Sequence, residues 1–260
     1  MTRAIIAIVI LDLKRFWVDR ARLVAGLIQP LLYLFVLGAG IGASVRMGGG
    51  DYRRFIFPGT MGLSLLFSAT FAAITIVFDR QIGFFKAVLV APVPRSAIAY
   101  GKIIAGGLQS LVQGMILLPF APLAGAPLGA LQVVEMLGAM VLASLTFSAI
   151  GVGFACRFSS TTVFPVVSNA VLLPMFFLSG GLYPLDVAPR WMRIAAHADP
   201  VAYAVDLMRG AVMGVHFFPV WMSLGALVLT ISLLAGAAVR VFNRGEDDSG
   251  LGATNFNWRR

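Results

Sequence analysis

Ionisable chemistry is scarce in this chain: eleven Asp and Glu, two His and one Cys are spread through 260 residues, of which 12% are charged. With a single cysteine, Cys156, there is no intrachain disulfide and no thiolate metal cluster, which leaves that side chain a packing role. His197 and His216 stand far from any second ligand at metal-binding spacing, so no metal site is expected. There is no G-x-x-x-x-G-K-[ST], no H-E-x-x-H, no G-x-S-x-G, and no pair of carboxylates at helical spacing within an apolar run. No catalytic residue is assigned, and the chain is not expected to be an enzyme.

What fills the chain instead is hydrocarbon. Residues of the hydrophobic classes make up 59% of it, a composition that belongs to an integral membrane protein. Crossing about 30 Å of bilayer takes about 20 helical residues, and six runs qualify: 23–43, 56–78, 103–121, 131–156, 163–183 and 219–239. Their continuity favours helices over barrel strands, so the fold class is an all-α integral membrane protein forming one permease domain over 1–260. Pro30, Pro165 and Pro174 are expected to kink their helices.

Residues 1–22 read as an interfacial helix. The apolar run after Arg3 is too short to span, and "DLKRFWVDRAR" stands where a signal peptide would need small residues. Ile5, Ile6, Ile8, Val9, Leu13, Phe16 and Trp17 are expected to face lipid, with Asp12, Lys14, Arg15, Asp19 and Arg20 facing water. With the N-terminus cytoplasmic, fourteen Lys and Arg fall on that side; only Arg46, Arg53, Arg54, Arg190, Arg193 and Arg209 fall opposite. Both termini are therefore placed inside, and the net charge of +9 reads as a topology signal and a match to anionic lipid, not to nucleic acid.

Ion-coupled transporters place ionisable groups near the midplane, yet the spans are almost free of charge. Glu135 is the one acidic candidate, and it sits early in the fourth span, where the helix dipole suits it. A bundle with so little soluble mass is either passive or driven by another polypeptide.

Two stretches break the apolar pattern. In "FDRQIGFFKAVLVAPVPRSAIAYGK" (78–102), residues 79–90 placed on a helix put Ile82, Phe84, Phe85, Val88 and Leu89 on one arc. Asp79, Arg80, Gly83, Lys86 and Ala87 fall on the other, and Gln81 intrudes on the apolar arc. "APVPRS" then forces a turn, with Ser96 available to cap the third span. Such a helix is either a mechanical handle on two spans or an anchor. In 184–216, two short helices divided at Asp199–Pro200 are expected, with Asp186, Arg190, Arg193, Asp199, Asp206 and Arg209 forming local ion pairs. Tyr183, Trp191 and Tyr203 suit a membrane interface there.

The 78–102 stretch resembles the cytoplasmic loop of the ABC-2 type transporter permeases, in its polar cluster, Gly, apolar helix, "APVP" and Gly-Lys. "FLSGGLYPLDVAPRWMRIAAHADPVAYAVDLMRG" (177–210) is similar to that family's other characteristic segment, with Ser-Gly, Tyr-Pro, Pro-x-Trp, Asp-Pro, Tyr and Arg in order. The resemblance implies the membrane subunit of an ATP-binding cassette exporter. It implies a homodimer, or a pair with a similar subunit, carrying two copies of a separate ATPase that binds ATP and Mg. On that resemblance no cofactor is expected on this chain itself.

Within the loop 79–97 the resemblance makes Arg80, Gln81, Gly83, Phe84, Lys86, Pro92 and Pro94 the ATPase-coupling residues, although the family pattern carries Glu where this chain has Gln81. It also makes 184–216 a pair of re-entrant helices in the outer leaflet; the split layout with no fused ATPase and the Ala-, Gly- and Arg-rich composition suggest a bacterial inner membrane. The polar tail 244–260 is expected to be disordered or to brush the ATPase. Polar faces on the spans are either packing glue or path: Gly106, Gln109, Ser110 and Gln113; Ser144, Ser148 and Gly151; Ser168 and Asn169. Gln109, Gln113, Ser148, Asn169 and Tyr183 are candidates for the path, and Phe176 and Phe177 for an aromatic gate. The family's cargoes are amphipathic drugs, lipid-linked compounds and polysaccharides; short loops favour a hydrophobic drug or lipid, with a lipid-linked glycan next. The competing reading is a passive channel or uncoupled transporter.

Overall fold

The computed structural model describes residues 1–40, 52–81, 94–158 and 160–244, and all regular structure among them is helical. Helix α1 (Thr2–Val18) is followed at once by α2 (Arg20–Leu32), because Asp19 ends one and begins the other. Its carboxylate accepts the amide of Arg22 at 3.1 Å, satisfying a first-turn donor. Beyond Pro30, which removes a backbone donor, α2 widens into a π turn over Tyr33–Leu37 and continues to Gly40. The last three residues of the expected 23–43 span lie outside the described residues.

Three long helices follow: α3 (Tyr52–Gln81), α4 (Arg95–Leu117) and α5 (Ala130–Arg157). They pack on one another as the centre of the bundle, through small residues. A Cβ on Gly106 of α4 would collide with Ser148 of α5, and one on Gly151 of α5 would lie 3.0 Å from the main chain of Thr70 in α3. Ser110 and Ser148 donate across helices to the carbonyls of Leu65 and Ile103, both at 2.8 Å. Thr60 and Thr70 return their hydroxyls to carbonyls of their own helix.

The remaining helices are α6 (Val163–Leu178), α7 (Arg190–Ala198), α8 (Pro200–Met213) and α9 (Val220–Arg244). Among the described residues, five helices are long and apolar enough to cross a membrane: 20–40, 52–81, 96–120, 130–157 and 220–242. The fifth expected span, 163–183, is corrected. α6 has 16 residues, and the chain leaves the helix at Ser179 and Gly180, the latter at φ +72, so 179–183 do not extend it. Pro174 lies inside α6, whereas Pro165 sits in its first turn, where proline leaves the helix straight.

Helix α8 is sealed inside the bundle. Every residue from Val201 to Val212 is buried, against α3 and α5. Asp199 accepts the Val201 amide at 2.9 Å and Pro200 opens the helix, so the expected division holds. Tyr203 is not interfacial as expected: it is buried, and its hydroxyl donates to the His197 carbonyl. Trp191 on α7 is exposed. Of the residues expected to form ion pairs here, Asp206 and Arg209 bond main-chain groups instead, and Asp206 also lies 3.6 Å from His216 Nδ1. Asp206 accepts the amides of Phe217 and Phe218, while Arg209 donates to the Gly180 carbonyl and lies 4.4 Å from the ring centre of Phe55. These bonds tie the chain after α6 and after α8 to the core.

Candidate functional site

The densest polar chemistry among the described residues lies where α1 meets the end of α3 and the start of α4. The Lys102 ammonium, 7% exposed, stands 2.9 Å from Asp79 Oδ2 and 3.0 Å from Asp12 Oδ2, with the Thr75 hydroxyl at 3.3 Å. Arg15 Nη1 reaches Asp79 Oδ1 at 3.2 Å from the half-exposed side. Two acids and two bases thus neutralise one another inside the protein, and each ammonium hydrogen has an acceptor.

Helix α4 extends this grip along one face. Lys102, Gln109 and Gln113 recur at i, i+7 and i+11, which a 3.6-residue period puts in line. Gln109 Nε2 donates to the Asp12 carbonyl at 3.3 Å, and Gln113 Nε2 to the Leu23 carbonyl at 3.2 Å. A Cβ on Gly101 would lie 3.0 Å from Ile8, which is how closely α1 approaches α4. Helix α1 is therefore bolted to the bundle rather than floating beside it.

This corrects the expected orientation of α1. Asp12 and Phe16 are buried, so the carboxylate meant for water points into the protein, and Phe16 packs there instead of on lipid. Trp17 and Ile6 are exposed. Ser96 does not cap α4 either: Pro94 is the capping residue and Ser96 lies in the first turn. Asp79 and Arg80 belong to the last turn of α3, so the expected 79–97 loop is shorter at both ends.

Of the coupling residues, Arg80 and Gln81 end α3, and Gln81 Oε1 accepts from Thr161 Oγ1 at 3.3 Å. Pro94 begins α4; Gly83, Phe84, Lys86 and Pro92 lie outside the described residues. The path candidates do not converge. Gln109 and Gln113 line a cavity of about 750 Å³ between α1, α2, α3 and α4. Ser148 is buried in the α4–α5 contact, and Asn169 is half-buried on α6. Phe176 is fully buried and only Phe177 is exposed, with ring centres 5.9 Å apart and Tyr183 donating to the Phe177 carbonyl. Glu135 is exposed in the second turn of α5, and no group of three metal-ligating side chains occurs among the described residues.

Sequence comparison places this architecture. The family model for the ABC-2 type transporter matches residues 3–213. Nodulation protein J of Rhizobium leguminosarum bv. trifolii is 30% identical over 217 residues, covering 81% of each chain. The inner membrane transport permease YadH of Escherichia coli (strain K12) is 30% identical over 226 residues, covering 84% of each. The protein is a multi-pass membrane chain that belongs to the ABC-2 type transporter family, the permease component of an ATP-binding cassette transporter.

Proposed function

We propose that this chain is the permease of an exporter, forming the translocation pathway as a homodimer and driven by two copies of a separate ATPase that holds ATP and Mg. The observation that carries this reading is the buried Asp12–Lys102–Asp79 cluster. It joins α1, the end of α3 and the start of α4, the helices on either side of residues 82–93. A partner pressing on that segment or on α1 would meet three helices clamped together, so displacement passes into the bundle instead of being lost in a hinge. The segment carries Gly83, Phe84, Lys86 and Pro92, and Arg80, Gln81 and Pro94 flank it.

The termini are cytoplasmic in this reading, and the membrane is a bacterial inner membrane, as the name of the Escherichia coli relative has it for that protein. Helices α2 and α9 leave long apolar faces outside the bundle, including Val24, Ile28 and Phe35 on one and Leu229 and Leu233 on the other; these suit lipid and a second permease copy. The cargo class is a hydrophobic drug or a lipid, with a lipid-linked glycan next.

The test is purification of the chain from its native membrane in a mild detergent, with identification of co-purifying proteins and an ATPase assay. Recovery of a Walker-A ATPase whose hydrolysis is altered by Arg80→Ala or Lys86→Ala supports the reading. A chain that emerges alone and passes solute without nucleotide overturns it in favour of a passive channel.

A further inference from the structure

The cavity between α1, α2, α3 and α4 has a distinct character on its two sides. Helix α1 and the first turns of α2 present Arg15, Asp19 and Arg22; α3 presents Phe67, Phe71 and Phe78. The lining stretch of α3 runs from residue 63 to 78, about 22 Å of helix at 1.5 Å per residue. Three polar atoms in its wall are buried with no hydrogen-bond partner in the protein: Arg22 Nη2, Ser64 Oγ and Gln109 Oε1. Ser64 and Gln109 are each 2% exposed.

Buried polar atoms are ordinarily satisfied, and a guanidinium nitrogen left bare is among the costlier exceptions. Asp12 and Asp79 are held by Lys102 and Arg15, and Asp19, the main countercharge of Arg22, hydrogen-bonds its backbone amide while Nη2 is left without a partner. What would satisfy Arg22 is an anionic oxygen from outside the protein. The aromatic side calls for hydrocarbon, and water alone would fit a mostly apolar space of this size poorly. An occupant must therefore combine a charged oxyanion with a chain.

We propose that this cavity is a binding site for a membrane phospholipid, with its phosphate at Arg22, its polar head within reach of Ser64 and Gln109, and an acyl chain along Phe67, Phe71 and Phe78. The site lies within one chain and needs neither the ATPase nor a second permease copy, so it stands or falls separately from the exporter reading.

The test uses the full-length chain, delipidated in dodecyl maltoside and titrated with dioleoyl-phosphatidylglycerol, bound lipid being counted by native mass spectrometry. One tightly held phosphatidylglycerol per chain is expected, bound at least about tenfold more tightly than dioleoylglycerol, which lacks the phosphate. Arg22→Gln should lose that preference, and the exposed Arg190→Gln should keep it. Phe71→Trp gives a second reading: dibrominated phosphatidylglycerol should quench the added indole more than dibrominated diacylglycerol does. Equal binding of the two lipids by the wild-type chain overturns the proposal without any variant. So does displacement of the lipid by millimolar inorganic phosphate, which would make this a free-anion site, and so does an Arg22→Gln chain that still prefers phosphatidylglycerol.

Discussion

Lys102 and Asp12 are ninety residues apart in sequence, and their side chains meet at 3.0 Å in the protein interior, where the Lys102 ammonium also holds Asp79. Removing one member of such a cluster leaves an uncompensated charge, which typically costs about 3–5 kcal/mol. Lys102→Met should therefore lower the thermal midpoint sharply, leaving Asp12 and Asp79 facing each other with Arg15 alone to offset them. The triple change Asp12→Asn, Lys102→Met and Asp79→Asn should recover much of that loss. A triple variant no more stable than Lys102→Met would show that the charges are not coupled. Thermal melts of the detergent-purified variants decide it.

This cluster is also where sequence reading was weakest. On a helical wheel Asp12 keeps company with Lys14 and Arg15, and solvent is the natural assignment. Nothing local reveals that a cation on α4 awaits it, because the pairing exists only once α1 lies along α4. Lys102 was legible only as one more positive charge before a span. By contrast, the Asp199–Pro200 division was readable because capping is local: a carboxylate before a proline starts a helix wherever it stands. The apolar count through Tyr183 extended α6 too far, since hydropathy does not register the left-handed turn at Gly180. Gln109 and Gln113 were correctly placed on one face, but that face holds α1 and α2 as well as lining a cavity.

The α4–α5 contact makes a second prediction. Gly106→Ala drives a methyl group into the Ser148 hydroxyl, which is fixed on the Ile103 carbonyl. Overpacking of this kind costs about 1–3 kcal/mol. Adding Ser148→Ala should restore most of the stability, since the hydroxyl is the obstructing group. A double variant as unstable as Gly106→Ala alone would place the damage elsewhere.

Asp199 gives the chain a pH dependence. It lies outside the five candidate spans, and burial pushes its carboxyl up from 3.8 to about 7, with the Val201 amide pulling the other way. A raised folded-state value means the folded protein holds the proton more tightly than the unfolded chain does. Stability from this group is therefore complete below about pH 4 and is lost as pH rises towards 7, by at most about 1.4 kcal/mol per unit. Asp199→Asn keeps an oxygen for the Val201 amide and removes the titration. Its melting temperature should vary less between pH 4 and 7 than that of the wild type, and parallel curves would exclude Asp199 as the source.

Gln81 offers a test of the proposed coupling surface. Its side-chain oxygen accepts from Thr161 beside the start of α6, an arrangement that ties the last turn of α3 to the connection between α5 and α6. Gln81→Glu keeps an acceptor for that hydroxyl, so thermal stability should change by less than about 0.5 kcal/mol, as for most exposed sites. The substitution does add a negative charge beside Arg80, at the edge of the surface proposed to receive the ATPase. If this surface receives the partner, ATPase stimulation by the Gln81→Glu permease should shift together with its salt dependence, because rim charges act mainly on association. Unchanged stimulation at both low and high salt would show that Gln81 lies off any contact with the ATPase.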